Sequence, residues 1–290
     1  MASLLPVRLA PAFAERSGLV EDDSPLTPGA LMTFIERMRQ NPAEEFKTET
    51  VAARFNVPAI AFIRAFKRLS GLSPQRFRAA LRIEQAKRLL MDTDRPITEV
   101  SFDVGYNSLG TFVRTFTMLV GVSPGLFRRL AAGKNLDIPL RPGRSTEDDG
   151  YAETRTVWAT LLSPPTGRLI AAGLFPQSFP AGVPLDGCFV DPAAPAFRLD
   201  WPRGQNRASL LIAAIGDFSL EAAWAGRLTD VQVCGVRLAS ACTQGVSPIP
   251  LRLRPLALSD PPFLTPVPLL MLLQSRRSRL RADHVMNGTA

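Results

Sequence analysis

The chain repeats itself. Residues 62–78 and 112–128, fifty positions apart, carry the same amino acid at nine of seventeen aligned positions. Phe62, Arg64, Phe66, Leu69, Gly71, Ser73, Pro74, Phe77 and Arg78 recur in register as Phe112, Arg114, Phe116, Leu119, Gly121, Ser123, Pro124, Phe127 and Arg128. Such a repeat requires one supersecondary unit used twice, and few architectures accommodate that within about a hundred residues.

Each copy has legible physics. Phe62 and Phe66 stand four apart, as do Phe112 and Phe116, so each pair shares one face of a helix. Arg64 and Arg114 then point away from that apolar face. Gly71 and Gly121 suit the left-handed residue that ends a helix. Ser73-Pro74 and Ser123-Pro124 suit the restart, serine as N-cap and proline at the first helical position. Upstream of the second copy, Ile97–Asp103 is a short amphipathic segment. Gly105-Tyr106-Asn107 turns the chain into the helix bearing Phe112 and Arg114. The first copy runs Thr50–Phe55, a turn at Asn56-Val57, then Pro58–Leu69. Short helix, turn, second helix is a helix-turn-helix motif, here present twice. Between the copies, Gln75–Met91 keeps the helical period and predicts one long strut.

Charge follows the repeat. The chain carries 34 Lys+Arg against 26 Asp+Glu, a net +8. Residues 31–134 alone account for a net +8 and hold all four lysines, whereas residues 1–30 are net acidic. Positive charge confined to one block is the footprint of a polyanion-binding domain. The composition excludes other chemistry. The one histidine, His284, lies in a polar tail, so Ser-His-Asp and Cys-His catalysis are not expected. Cys188, Cys234 and Cys242 form no Cys-x-x-Cys pair, which argues against a zinc site and a disulfide framework. No phosphate-binding glycine loop is present. No metal, cofactor or catalytic residue is expected. The Pro261–Leu273 stretch is too short and proline-rich to span a bilayer, and the chain reads as cytoplasmic.

Residues 31–130 resemble the DNA-binding domain of AraC/XylS-type transcriptional regulators. The residues that carry the resemblance are Arg82–Leu90, Ile97-Thr98-Glu99-Val100, Gly105-Tyr106, Phe112-x-Arg114-x-Phe116 and Gly121-Val122-Ser123-Pro124-x-x-Phe127-Arg128. The resemblance implies two helix-turn-helix motifs joined by a helix and binding duplex DNA in successive major grooves. Carried over by position, Arg64 and Arg114 are candidate base contacts, because guanidinium pairs bidentately with guanine. Ile60, Ile63, Leu109 and Val113 occupy the other groove-facing positions. They are apolar where family members often carry Gln, Arg or Trp, so base reading reduces to thymine methyls and two arginines. Lys67, Arg68, Thr115 and Thr117 are candidate phosphate contacts. RNA polymerase, a small-molecule effector and a second copy of the chain are the further partners the resemblance suggests.

After residue 134 the texture changes. Seventeen of the 26 prolines lie there, between short apolar runs. Seven strands are expected: Thr156–Leu162, Arg168–Phe175, Leu185–Val190, Ala196–Trp201, Ala208–Ile215, Val231–Arg237 and Pro250–Pro255. Together they suggest a β-sandwich or a small barrel. The expected organisation is an N-terminal arm at 1–30, an all-α double helix-turn-helix domain at 31–134, a linker at 135–153, a β-sandwich-like sensing or dimerisation domain at 154–274 and a basic tail at 275–290. The expected function is a sequence-specific transcriptional regulator. The alternative is a protein-interaction adaptor with weak, non-specific DNA binding. A thiol-based alkyl-transfer enzyme is disfavoured, because Gly187-Cys188-Phe189-Val190 has no histidine beside it.

Overall fold

The computed structural model describes residues 26–133, 155–201, 205–239 and 247–266. Most of the expected arm, the linker and the basic tail lie outside these residues. The first half is helical: α1 (Pro28–Gln40), α2 (Thr48–Arg54), α3 (Ala59–Ser70), α4 (Pro74–Asp92), α5 (Ile97–Asp103), α6 (Leu109–Val120) and α7 (Pro124–Ala131). Helix α1 begins inside the stretch expected to be an arm. Thr27 caps it by accepting from the Ala30 N–H, Pro28 sits in its first turn, and Leu26 is already buried.

The repeat is a repeat of structure. Helices α2–α3 and α5–α6 are the two helix-turn-helix motifs. Both turns pass through a positive φ, at Asn56 (54°) and Gly105 (85°). Helices α3 and α6 have twelve residues each and end on left-handed Gly71 and Gly121. The rings repeat too: Phe66 meets Phe77 edge-on at 5.6 Å, and Phe116 meets Phe127 edge-on at 5.5 Å. Ser73 and Ser123 both occupy N-caps, but only Ser123 makes the side-chain bond, accepting from the Leu126 N–H. Helix α4, nineteen residues and about 28 Å long at 1.5 Å per residue, is the strut between the motifs.

Gly105 fixes the second turn. A Cβ there would stand 2.8 Å from Arg82 Nη2 and 3.0 Å from the Ala43 carbonyl oxygen. Arg82 cannot yield easily, since it donates to the Pro42 and Ala43 carbonyls and lies over the Tyr106 ring. Gly105→Ala is therefore expected to cost about 1–3 kcal/mol in urea unfolding, through strain and displacement together.

The second half is built of β1 (Arg155–Leu161), β2 (Leu169–Phe175), β3 (Asp186–Phe189), β4 (Ala196–Trp201), β5 (Arg207–Asp217), a short helix α8 (Leu220–Ala225), β6 (Thr229–Ala239), β7 (Ile249–Leu251) and β8 (Arg254–Pro255). They make two sheets, β4-β1-β7 and β3-β2-β5-β6-β8. The expected strand at Pro250–Pro255 is split: β7 pairs parallel to β1 in the small sheet, whereas β8 pairs with β6 in the large one. Helix α8 was not anticipated. Ser219 caps it by accepting from the Ala222 N–H, and left-handed Gly226 ends it.

The large sheet is buried on both faces. Along β5, Leu210, Ile212 and Ala214 join Val157, Leu199 and Trp201 in the sandwich core. The alternate residues Leu211, Ala213 and Ile215 face the helical half and share its core with Phe116, Phe127 and Trp224. A strand covered on both sides needs an unbroken apolar run, and Leu210–Ile215 supplies one. The helical and β halves thus pack as helices on a sheet, on a sheet. No helix among the described residues is long and apolar enough to cross a membrane.

Candidate nucleic-acid interface

Phe62 and Phe66 are fully buried beneath α3, and Phe112 and Phe116 beneath α6. That burial fixes the rotation of both helices and turns their opposite faces outward. Arg64 and Arg114 are the sixth residues of α3 and α6, both exposed and both without a protein partner among the described residues. Around Arg64 the same face carries Ile60 one turn before and Lys67 and Arg68 one turn after, all exposed. Around Arg114 it carries Gly110 and Thr111 before, and Thr117 and Met118 after. Leu109, the first residue of α6, is exposed.

The remaining candidates are more mixed. Ile63 and Val113 are half-buried at the edge of this face, with Val113 packed partly on the core. Thr115 is half-buried beside the Tyr106 hydroxyl. The Thr117 hydroxyl donates to the Val113 carbonyl at 2.8 Å, which leaves its oxygen available as an acceptor. Arg68 is engaged elsewhere in the protein. Thr111 joins these candidates. It is exposed, three residues before Arg114, and the helical period alone places it on the same face. The two helices therefore differ in charge: α3 presents three cations along this face, α6 one.

The β half reaches the second motif from behind. The Gly182 N–H, in the loop between β2 and β3, donates to the Leu119 carbonyl at 2.6 Å, satisfying one of the orphan acceptors at the C-terminus of α6. Gly182 is needed for that approach, because a Cβ would stand 2.9 Å from the Met118 carbonyl oxygen. Trp224 of α8 packs edge-on against Phe127 at 5.6 Å. Deep between the halves, Lys87 of α4 is wholly buried and donates to the Phe263 carbonyl at 3.1 Å. Burial pushes its pKa down to about 7, an effect that Glu84 opposes and Arg88 reinforces. A cavity of about 390 Å³ at this junction is lined by Arg39, Glu84, Arg88, Arg227, Leu256 and Phe263. A second cavity, about 490 Å³, lies between α1 and α2, with Phe34, Met38, Phe46 and Phe55 in its lining and Arg37, Arg54 and Arg78 among its charged residues.

Two outward-facing second helices on a common scaffold define a double helix-turn-helix protein. Comparison with known proteins agrees. The family described as "Helix-turn-helix domain" matches residues 51–130. An uncharacterized HTH-type transcriptional regulator of Bacillus subtilis, YobQ, is 44% identical over 63 residues, covering 22% of this chain and 26% of that protein. The HTH-type transcriptional regulator MtrA of Neisseria gonorrhoeae is 30% identical over 96 residues (33% and 32%). The HTH-type transcriptional activator RhaS of Enterobacter is 32% identical over 116 residues (39% and 41%). The chain thus spans between about a quarter and two fifths of the length of these relatives. Among solved structures, the DNA-binding domain of AdpA in complex with a target DNA is similar at 28% identity, over 36% of this chain and 95% of that one, with a TM-score of 0.34. A probable AraC family transcriptional regulator from Rhodopseudomonas palustris is 26% identical over 31% and 84%, with a TM-score of 0.29. The match to the helix-turn-helix domain family thus runs from α2 to α7, the span that holds both motifs.

Proposed function

We propose that this protein is a transcriptional regulator that inserts α3 and α6 into successive major grooves of duplex DNA. The observation that carries the reading is the pair of exposed, unpartnered arginines, Arg64 and Arg114, at the same place on two copies of one motif. Arginine at a recognition-helix face pairs bidentately with guanine O6 and N7. Ile60, Ile63, Leu109 and Val113 flank it with apolar surface suited to thymine methyls. Lys67, Arg68, Thr115 and Thr117 are assigned to the phosphates, Thr115 with the smallest share because it is half-buried. The β half braces this arrangement through Gly182 and Trp224, so a ligand in the junction cavity, or a second copy of the chain, would act on the pose of α6. RNA polymerase fits as a partner of a regulator bound near a promoter.

The deciding measurement is fluorescence anisotropy of the full chain with labelled duplexes across a salt series. Affinity is expected to fall linearly on a log–log plot, by release of counterions from neutralised phosphates. Arg114→Ala should cost about 1–3 kcal/mol on a preferred site and much less on random DNA. Lys67→Ala should weaken both alike and reduce the salt slope by about one. Absence of duplex binding at low salt would overturn the proposal. A second reading draws on Phe102 and Met118, which are 54% and 57% exposed on the second motif. They suit a protein-docking adaptor that binds DNA only weakly and without sequence preference. Equal affinity for every duplex would favour it.

A further inference from the structure

The two motifs place the same arginine on the same phenylalanine pair, and that restricts what they can read. Arg64 and Arg114 stand at the sixth position of helices of equal length, each held by the same phenylalanine pair below and the same left-handed glycine behind. The residue before the arginine is β-branched and aliphatic in both, Ile63 and Val113. One turn earlier stand Ile60 and Ala61 in α3, and Gly110 and Thr111 in α6. Across Ala59–Arg68 and Leu109–Met118 there is no Asn or Gln, the partners of adenine, and no Asp or Glu, which accept from cytosine. The bidentate base reader of each helix is thus an arginine at the same position, with the exposed Thr111 hydroxyl the further hydrogen-bonding group before it in α6, so the two helices share their main message.

Resting on the proposed DNA binding, we propose that the target site carries the same short step twice, a guanine flanked by thymine, with the two copies one helical turn apart. The spacing is set by the proposed insertion of α3 and α6 into successive major grooves, which lie about 34 Å, or roughly 10–10.5 base pairs, apart on one face of the duplex. The copies differ in tolerance. At the α3 copy, Ile60 adds an apolar contact and Lys67 and Arg68 add charge. At the α6 copy, Gly110 leaves a gap and Thr117 and Met118 add none. The thymine beside the α3 guanine is therefore the more strictly required of the two.

The test is selection of duplexes from a library with 26 randomised base pairs, using the full-length chain at about 150 mM salt, followed by the same selection with Arg64→Ala and with Arg114→Ala. The expected result is two guanine-centred blocks about ten base pairs apart, with each variant erasing one block and sparing the other. Retained DNA that shows a single block, adenine-centred blocks, or both blocks surviving either substitution overturns this inference while leaving DNA binding intact. No retained duplex even at 50 mM salt overturns the proposed function, and this inference with it. Circular dichroism of both variants checks that each remains folded.

Discussion

Phe127→Ala should destabilise the protein by about 3–5 kcal/mol and unfold its helical and β halves together. Phe127 is fully buried, and its ring meets Phe116 of α6 at 5.5 Å and Trp224 of α8 at 5.6 Å. Truncation removes the apolar area and leaves a cavity where three elements converge, which places the cost at the high end for core substitutions. The shared core makes the loss common to both halves, since Leu211, Ala213, Ile215 and Trp224 lie in one cluster with Phe116 and Phe127. All three tryptophans, Trp158, Trp201 and Trp224, belong to the β half, so their fluorescence reports on that half while the helical dichroism signal is dominated by the other. Both probes should shift to lower urea by the same amount and remain coincident. A dichroism transition that moves while the fluorescence transition stays would show two units that merely touch. The cycle with Trp224→Ala should give a coupling of about 0.5–3 kcal/mol, as expected for rings in contact.

Stability should rise between pH 7 and pH 9, on the order of 2 kcal/mol, and Lys87→Met should abolish the rise. The Lys87 ammonium is buried under the β half, with its pKa lowered to about 7 from 10.5 chiefly by loss of solvent. Glu84 and Arg88 act on it from its own helix, and Arg39 and Arg227 line the cavity beside it from α1 and the β half. Between these two pKa values the unfolded chain holds a proton that the folded chain has released, so the folded state gains as pH rises. Below pH 7 both states are charged and the folded one bears the full burial cost. Above pH 9 the Cys188 thiol acts in the opposite sense. Burial pushes its pKa up to about 12, so the unfolded chain loses that proton first. Urea unfolding at pH 7, 8 and 9 separates the two groups. A flat profile in the unsubstituted protein would show that the lysine is solvated.

The site was legible where local chemistry decides. The phenylalanine spacing, the two closing glycines and the serine–proline restarts each impose a backbone conformation within a few residues, so both α3 and α6 and their outward arginines follow from the sequence. One local detail differs. Pro58, expected as the first residue of the Pro58–Leu69 helix, is instead its N-cap. Ser108, in the turn after Gly105-Tyr106-Asn107, caps α6 by accepting from the Thr111 N–H.

What lay beyond the sequence was set by distant partners. Lys87 looks like one more cation of a basic block, and only the packing of Phe263 and Gly226 over it makes it a buried charge. Leu251-Arg252-Leu253-Arg254 alternates like one strand, but its two ends join different sheets because β1 and β6 offer separate edges. The apolar run of β5 was consistent with a sandwich strand. That its second face holds the helical half could not be read locally, because a strand records that it is covered on both sides but not by what. The two motifs follow from local chemistry, since helix caps, turns and a 3.6-residue period act over one or two turns of chain. How the β half seizes α4, α6 and α7 is a tertiary matter, since the contact joins Lys87 to Phe263, Leu119 to Gly182 and Phe127 to Trp224, pairs far apart in the chain with no local signal that matches them.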